Sequence, residues 1–310
     1  MDSTTGSDLE EFKVQDAASY NAVAEHFDRF TSIVTKPLAL TTIRLARLKS
    51  NGRLADIGTG SGIVAIQAAG SPAAPRVTGI DLSDGLLQAA QRNAREAGVA
   101  SRLQLVKADA EALPLHDESC DAVISLFALL HFPHPERALA EMKRILRPGG
   151  RLVIGIGAPP PWDTLQAWLH RAGRVRDLVQ LKTGKLLLAP AHLNAIVAEC
   201  IPAAGHAEET EMARHRSART GSAVSLIRQL NLAEVETSWE GHQLALDDAD
   251  EFWDLQSTFS SFARKRLEAA TEAQTRMVRA RFNDDCSRVL KRGGKLVYHY
   301  AAYYIAATRA

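Results

Sequence analysis

The sequence of 310 residues predicts an α/β protein built on a doubly wound, largely parallel sheet. Between Arg53 and Ala158, short apolar runs alternate with amphipathic segments, which is the pattern of strands joined by crossover helices. A glycine-rich stretch follows the first apolar run, and aspartates stand at or near the ends of the first three. Together these features are typical of an open α/β sheet with a ligand site at the carboxyl ends of its strands.

The elements of this region follow one another in a regular order. Strands are predicted in the segments RLADIG, RVTGID, RLQLVKAD, DAVISLF and RLVIGIG. The helix after RVTGID has Ser83 as its N-cap candidate and Gly98 just beyond its end. The helix PERALAEMKRIL begins at Pro135 and is stopped by Pro148 and the two glycines after it. Local chemistry therefore predicts the boundaries of both helices.

The rest of the chain is predicted to add helices and two further strands. Residues 1–50 form a helical lead-in, because NAVAEHFDRF and PLALTTIRLARL carry apolar residues at three- and four-residue spacing. Residues 51–158 form the sheet core, and residues 159–230 an inserted lid of helices and loops. Residues 231–310 contain the strands AEVETSWEGHQLAL and KLVYHYAAYYIAATR, with one or two helices inserted at about 247–290. We expect the inserted segments to cap the carboxyl edge of the sheet.

Charge and cysteine content narrow the class of protein. The chain has 37 basic and 36 acidic residues and a net charge of +1, so nucleic acid is not an expected partner and any basic site must be local. The three cysteines lack the spacing of a zinc site or a disulfide framework, and we expect no metal. The acidic start MDSTTGSDLEEF is unlike a signal peptide, and no apolar run reaches the roughly 20 residues of a membrane helix. We expect a cytoplasmic protein.

The glycine-rich turn LADIGTGSG carries the main functional signal. Glycines let the backbone approach a ligand closely. A dinucleotide site favours the spacing G-x-G-x-x-G, whereas Gly58, Gly60 and Gly62 follow G-x-G-x-G and Ile63 occupies the position of the third glycine. The carboxylate of Asp56 would be repelled by the negative charge of a pyrophosphate but attracted to a cationic group such as an amino group or a sulfonium. The turn therefore favours S-adenosylmethionine over NAD.

Two later strand ends support this interpretation. Asp81 ends the second strand, where its carboxylate can accept hydrogen bonds from both ribose hydroxyls of a nucleoside. Leu82 follows and could pack on an adenine ring. After the third strand, Asp109 could accept from the adenine amino group and the Ala110 amide could donate to the ring. Each aspartate could instead be only a cap at its strand end.

Taken together, LADIGTGSG, GIDLS, KADAEALP, DAVISLFALLHFPHPERALAEMKRILRPGG and RLVI resemble the class I methyltransferases, and most closely their ubiquinone/menaquinone-biosynthesis-like branch of small-molecule enzymes. The resemblance covers about Tyr20 to Ala158. It implies a Rossmann-like sheet of seven strands, the last antiparallel, with N-terminal helices and an inserted helical cap. Cys120 departs from the aromatic residue common in the family, a difference in packing.

The family resemblance also implies roles for individual residues. Asp56 and the backbone of Gly58 to Gly60 would hold the methionine part of S-adenosylmethionine, Asp81 the ribose, and Asp109 with Ala110 the adenine. The full set of candidate cofactor-binding residues is Tyr20, Asp56, Gly58, Thr59, Gly60, Gly62, Asp81, Leu82, Asp109, Ala110 and Ser125.

The candidate catalytic residue is His131, which follows the fourth strand at the carboxyl edge of the sheet. It could act as a general base, or it could only orient its loop. Tyr20 in the helical lead-in could cover the cofactor or pack between helices. No N/D-P-P-Y/W motif of base-modifying methyltransferases follows the fourth strand, where the sequence reads SLFALLHF.

The inserted segments carry two further patterns. Basic residues in RAGRVRDLVQLKTGK could hold an anionic substrate group, although a solvated helix face is the simpler interpretation. Phe252, Gln256, Phe259 and Ala263 share a helical face in EFWDLQSTFSSFARKRL; such stripes are usually core, but some of these aromatics could line an apolar acceptor pocket.

The sequence thus predicts methyl transfer from S-adenosylmethionine to an O, N or C nucleophile of a small-molecule acceptor, apolar or aromatic in character. The atom methylated, the acceptor and the oligomeric state stay open. Two alternatives are a methyltransferase-like protein that binds the cofactor without catalysis and serves as a regulator or partner, and an NAD-linked oxidoreductase.

Overall fold

The computed structural model describes residues 20–21, 24–160, 164–201 and 225–310. By its internal contacts the chain divides into two compact units. Unit 1 comprises residues 1–158, 213–239 and 302–310, and unit 2 comprises residues 159–212 and 240–301. The division of the chain drawn from its sequence stays a prediction.

Unit 1 is an α/β sheet with helices between its parallel strands. Its strands are β1 (Arg53–Ile57), β2 (Arg76–Asp81), β3 (Leu103–Lys107), β4 (Cys120–Leu126) and β5 (Leu146–Ile156), with parts of β7 (Ala233–Leu246) and β8 (Lys295–Thr308). Its helices are α1 (Ala24–Ala46), α2 (Ile63–Ala69), α3 (Asp84–Glu96) and α4 (Pro135–Ile145), with 3₁₀ turns at Ala100–Arg102 and Leu129–His131. The strands predicted between Arg53 and Ala158 are confirmed.

The strand order in this unit is β3-β2-β1-β4-β5-β8. β1 to β5 pair in parallel, and β8 is antiparallel to β5, with Arg151 opposite Thr308 and Ile156 opposite Tyr303. The predicted doubly wound sheet with an antiparallel last strand is confirmed. The chain adds β2 and β3 on one side of β1, and β4 and β5 on the other side. The loops that follow β1 and β4 therefore diverge and leave a crevice at the carboxyl ends of these two strands.

The predicted helix ends follow from local capping. The Ser83 side chain accepts a hydrogen bond from the Leu86 backbone N–H and begins α3. Gly98, with a φ of +69°, lies just past the end of α3. Pro135 stands in the first turn of α4, where its missing N–H costs nothing. The predicted starts of both helices and the stop of α3 are confirmed.

The centre of unit 1 is apolar and closed to solvent. Residues on β1, β4 and β5 pack against α4, with Val123, Leu139, Met142 and Ile154 fully buried. The helical lead-in contributes α1, whose Leu38 carbonyl accepts a hydrogen bond from the Tyr304 hydroxyl at 3.0 Å. Burial of these apolar side chains stabilises the sheet and holds its strand ends in place.

Unit 2 is mainly helical. It contains α5 (Leu165–Lys182), β6 (Leu186–Ala189), α6 (Ala191–Cys200), α7 (Ala249–Phe259), α8 (Ser261–Glu268) and α9 (Glu272–Lys291), with the remaining parts of β7 and β8. β6 pairs in parallel with the first residues of β8, from Leu186 opposite Lys295 to Ala189 opposite Tyr298. Residues 161–163 and 202–224 of the predicted lid lie outside the described residues.

Two predictions for this unit are wrong. The segment 159–230 was expected to hold only helices and loops, yet LLLA forms β6, so eight strands are described where seven were predicted. Four apolar residues are too few for periodicity to distinguish a strand from a loop.

The insertion at about 247–290 forms three helices where one or two were predicted. The Ser260 hydroxyl accepts from the Ala263 N–H, and Thr271 with Gln274 makes a capping box, so each pair starts a new helix within one amphipathic stretch. No helix in the described ranges is long and apolar enough to cross a membrane.

Candidate functional site

The glycine-rich turn lies between β1 and α2 and is held against β2. The backbone N–H groups of Gly58 and Thr59 donate to the Ile80 carbonyl at 2.8 and 2.9 Å. Gly58, Gly60 and Gly62 have φ values of +72°, +57° and +85°, the left-handed region that favours glycine. The turn therefore adopts a backbone that other residues would strain.

The three glycines have different surroundings. A Cβ on Gly58 would lie 2.2 Å from the Ala128 Cβ, so Gly58 is required by the loop after β4. A Cβ on Gly62 would lie 3.0 Å from the Ala90 Cβ on α3. At Gly60 the nearest atom, on the Phe27 ring, would be 3.6 Å away. The backbone at Gly60 is thus the least crowded part of the turn.

Asp81 joins the turn to the end of β2. One carboxylate oxygen accepts from the Gly60 N–H at 2.9 Å, and the other accepts from the Ser83 N–H at 3.0 Å. Desolvation by the surrounding protein raises the pKa of Asp81, while these backbone bonds and the nearby His131 oppose the rise. Leu82, between Asp81 and Ser83, keeps part of its surface exposed. The carboxylate therefore ties together the loops after β1 and β2.

Asp56 is a buried carboxyl group on β1. Its Oδ2 accepts a hydrogen bond from the Thr59 hydroxyl at 2.8 Å. Burial raises its pKa to about 7, and the negative charge of Asp81 contributes to the rise. A buried carboxylate with a like charge beside it is costly unless a cation approaches. This site therefore favours a positively charged ligand group.

Ser125 adds an unsatisfied polar atom near this point. It lies on β4, one residue after Ile124, which is the register partner of Asp56 on β1. Its side chain is fully buried, and its hydroxyl is among the buried polar atoms that have no hydrogen-bond partner in the described part of the chain. Because such atoms are nearly always paired in native proteins, this hydroxyl is a group that a ligand could satisfy.

Asp109 and Ala110 follow β3, one strand beyond β2 in the sheet order. Asp109 Oδ1 accepts from the Glu111 N–H at 2.9 Å, and Ala110 is buried. The Glu111 carboxylate accepts from the His134 N–H at 3.0 Å, which links this loop to the one after β4. The structure thus places both residues at the carboxyl edge of the sheet, as predicted from the sequence.

His131 and Tyr20 meet at the same edge. Their ring centroids lie 5.9 Å apart at an interplanar angle of 78°, and Tyr20 makes a second edge contact with Phe27 at 5.3 Å. The charge of His131 lowers the pKa of Asp81. The structure therefore brings the lead-in tyrosine, the candidate base and the β2 aspartate into one neighbourhood.

Sequence reasoning missed the polar residues that attach the lead-in to this site. The Asn21 side-chain oxygen accepts from the Ser83 hydroxyl at 2.7 Å and from the Gly85 N–H at 2.9 Å. Asn93 on α3 donates to the Ser61 carbonyl at 3.1 Å and to Asp28 at 2.7 Å.

Thr31 on α1 lies 3.2 Å from the Ser61 hydroxyl, which adds a third attachment. The one sequence signal was the polar series Asn21, Asp28 and Thr31, whose spacing puts them on one face of a helix. These contacts fasten the lead-in to the glycine turn and to the start of α3.

The other predicted patterns lie in unit 2. Arg174, Arg176, Lys182 and Lys185 are exposed, consistent with the simpler interpretation of a solvated face. Phe252, Gln256 and Ala263 are fully buried, and Phe252 packs on Phe282 with ring centroids 5.8 Å apart. Most of that stripe is therefore core.

Comparison with known proteins bears on the same region. Residues 55–154, which contain the glycine turn, Asp81 and Asp109, match the family model of the methyltransferase domain. Over these residues the chain is similar to methyltransferase domains. The resemblance to the ubiquinone/menaquinone-biosynthesis branch is confirmed over this part of the chain.

Curated relatives of this domain include quinone-biosynthesis enzymes. The ubiquinone/menaquinone biosynthesis C-methyltransferase of Syntrophotalea carbinolica is 33% identical over 156 residues, which are 49% of this chain and 65% of that protein. The demethylmenaquinone methyltransferase of Thermus thermophilus is 38% identical over 119 residues, covering 38% of this chain and 53% of that protein. The chain thus spans less than two thirds of the length of these relatives.

A solved structure supports the fold. A candidate methyltransferase from Bacillus halodurans C-125 superposes with a TM-score of 0.50 at 16% identity, covering 87% of this chain and 98% of that one. At this level of identity the similarity concerns the fold alone.

Proposed function

We propose that the chain is an S-adenosylmethionine-dependent methyltransferase that transfers a methyl group to an O, N or C nucleophile of a small molecule. The observation that carries the proposal is the Asp81 carboxylate. It holds the Gly60 N–H from the end of the neighbouring strand, inside the region that matches the methyltransferase domain. The family match favours this activity over a nicotinamide-linked oxidoreductase.

The charges at the site fit this cofactor. Asp56 and Asp81 are two carboxyl groups close enough for the charge of one to raise the pKa of the other. S-adenosylmethionine carries a sulfonium and an ammonium, either of which would offset that repulsion. The unsatisfied Ser125 hydroxyl offers a further polar contact for the same ligand. A pyrophosphate would instead add negative charge beside two carboxylates.

We assign the cofactor's parts along the carboxyl edge of the sheet. Asp56, Thr59 and the Gly58 to Gly60 backbone would hold the methionine part. The two oxygens of Asp81 would accept from the ribose hydroxyls while keeping their backbone bonds, since each carboxylate oxygen has two acceptor positions.

The remaining assignments concern the adenine. Asp109 and the Ala110 amide would bind its polar edge, Leu82 would pack on its face, and Tyr20 would cover the site. The strand order, with β1, β2 and β3 adjacent, supports this sequence of contacts.

When bound, S-adenosylmethionine supplies a methyl group already activated on a positively charged sulfur. The protein's part is therefore to orient the donor and acceptor, to exclude water and to hold charge. We propose that His131 stabilises the ionised carboxylate of Asp81 and the position of the Tyr20 ring. Its charge lowers the pKa of Asp81, and its ring makes an edge contact with that of Tyr20. It is then a positioning residue and not a general base.

The relatives' names suggest the acceptor class. They are C-methyltransferases and demethylmenaquinone methyltransferases, so we propose a quinone-related ring as the acceptor and carbon as the atom methylated. The family match ends at residue 154, so acceptor choice would depend on the inserted segments. The cap that these segments are predicted to form belongs to the same proposal.

Two measurements test the function. Calorimetry should show binding of S-adenosylmethionine and of S-adenosylhomocysteine but not of NAD. Incubation with methyl-labelled cofactor and a panel of reduced demethylated quinones should transfer label to an acceptor, with Asp81→Ala as the negative control. Binding of NAD alone would refute the proposal. Cofactor binding with no transfer to any acceptor of the panel would favour the regulatory alternative.

A further inference from the structure

Helix α5 exposes an unusual amount of apolar surface. Six of the ten large apolar side chains that are exposed in the described part of the chain lie in this one helix: Leu165, Trp168, Leu169, Val175, Leu178 and Val179. Their exposed fractions run from 53% at Leu178 to 74% at Leu165. Concentrated exposure of this kind marks an interaction surface, since single exposed apolar residues are normally scattered.

The exposed apolar residues form a continuous stripe. Leu165, Trp168, Ala172, Val175 and Val179 recur at spacings of three and four residues, which places them on one helical face. All five are exposed.

The buried side of the helix carries no large apolar side chain among those described as buried. It includes Ala167 and Asp177, whose carboxylate lies 3.2 Å from His299 Nε2 on β8. The large apolar side chains of α5 are thus mostly on its exposed side, unlike those of a helix that packs its apolar face on a core.

The exposed charges of α5 have one sign. Arg174, Arg176 and Lys182 are exposed, and Lys185 follows directly after the helix. Asp177, the helix's one carboxylate, is turned inward. We refer to the exposed stripe together with Arg176 and Lys182, which border it on the helix, as the α5 face. It offers apolar surface and positive charge, and no exposed negative charge among the side chains described on it.

We propose that the α5 face binds the surface of an anionic lipid bilayer, with the helix lying in the plane of the interface. Helices with this function combine aromatic and aliphatic residues on one side with Lys and Arg beside them. Trp168 is of the residue type enriched at the boundary between lipid and water. Lysine and arginine at that boundary are attracted to anionic headgroups.

A second copy of the chain fits the α5 face less well. A two-fold dimer through this helix would bring Arg176 and Lys182 of one copy toward the same residues of the other. Like charges brought together in this way oppose association. The chain's net charge of +1 provides no general attraction to anionic lipid, so binding would have to come from this local surface.

Cosedimentation of the full chain with vesicles tests the proposal. Vesicles of phosphatidylglycerol and phosphatidylcholine should carry the protein down, vesicles of phosphatidylcholine alone should carry much less, and added salt should weaken the binding. Equal recovery with both kinds of vesicle, or none with either, would overturn the proposal.

Variants assign the binding to the α5 face. Val179→Glu should weaken vesicle binding at least tenfold, since it removes apolar contact and adds a charge that the lipid repels. The matched control is Met277→Glu, at another exposed apolar position on α9, and it should bind as the natural chain does. Lys182→Gln should weaken binding about fivefold, the effect of one cation near an anionic surface. Equal loss in Val179→Glu and Met277→Glu would contradict the assignment.

Tryptophan fluorescence tests the contact with lipid in a variant that still binds the vesicles. Brominated lipids should quench the natural chain on vesicles, and Trp168→Phe should keep the binding but lose most of the quenching. Unchanged quenching in that variant would show that α5 does not touch the lipid. If sedimentation without vesicles shows an oligomer that Val179→Glu dissociates, the face is an interface between copies and the lipid proposal is wrong.

Discussion

The carboxylate of Asp81 accepts a hydrogen bond from the backbone N–H of Gly60 at 2.9 Å. The two residues are 21 positions apart in the chain: Gly60 lies in the loop after β1, and Asp81 is the last residue of β2. One side chain at the end of β2 thus sets the position of the turn after β1. The groups proposed to contact the ribose and the methionine part of the cofactor are consequently linked by this hydrogen bond.

Replacing Asp81 by alanine should weaken binding of S-adenosylmethionine by ~2–4 kcal/mol, since hydrogen bonds to charged groups contribute about 1.5–3 kcal/mol each and do not add fully. Calorimetry measures the change. Asp84→Ala is the control, because Asp84 lies three residues further on and forms an exposed ion pair with Lys107. A folded Asp81→Ala protein with unchanged affinity would refute the assignment.

Asp56 should make stability depend on pH. Its pKa is raised from 3.8 to about 7 in the folded chain, so between these values the folded state binds a proton that the unfolded state has lost. The free energy of unfolding should therefore fall as pH rises from about 4 to about 7, by up to about 4 kcal/mol, since one pKa unit corresponds to about 1.4 kcal/mol.

The comparison variant for this effect is Asp56→Asn, which keeps the shape of the side chain and does not titrate. Urea unfolding of both proteins across this pH range should show the natural chain losing stability relative to the variant, with no further relative change above the window. Parallel pH profiles for the two proteins would mean that Asp56 is ionised when the chain folds.

Asn93→Ala should loosen the attachment of the lead-in. Asn93 donates both to Asp28 and to the Ser61 carbonyl beside the glycine turn, so its loss removes two hydrogen bonds worth about 0.5–1.5 kcal/mol each. We expect a lower thermal midpoint and roughly tenfold weaker cofactor binding. Arg95→Ala, at an exposed position of the same helix, is the control. If both variants bind the cofactor equally, the lead-in has no part in the site.

His131→Phe separates positioning from base catalysis. Phenylalanine keeps a ring beside Tyr20 but loses the charge that lowers the pKa of Asp81. We expect a higher KM for the cofactor and a kcat within about tenfold of the natural value. General base catalysis typically contributes about 10²–10⁴-fold. A fall of kcat in that range, with the pH dependence of the rate abolished, would identify His131 as the base instead.

Structural features that depend only on neighbouring residues were predictable from the sequence. The alternating apolar runs predicted β1 to β5, and the series of Gly58, Gly60 and Gly62 predicted the turn, because glycine is suited to a left-handed backbone wherever the chain requires one. The start of α3 was equally predictable, since the Ser83 hydroxyl accepts from an N–H only three residues away.

Elements with a short or uniform sequence pattern could not be predicted in this way. β6 has four residues and acquires its identity only by pairing with β8, more than 100 positions later in the chain. The boundary between α7 and α8 rests on one serine inside a continuous amphipathic pattern. In both cases the local signal is weaker than the contact that decides the structure.

The sequence by itself determined which residues reach the carboxyl edge of the sheet, because strand periodicity and turn chemistry act over a few neighbouring residues. Only the tertiary structure decided how they act on one another. The bond from Asn93 to Ser61 crosses 32 positions, and that from Ser83 to Asn21 crosses 62. The raised pKa of Asp56 depends on desolvation by the whole fold, which no local pattern encodes.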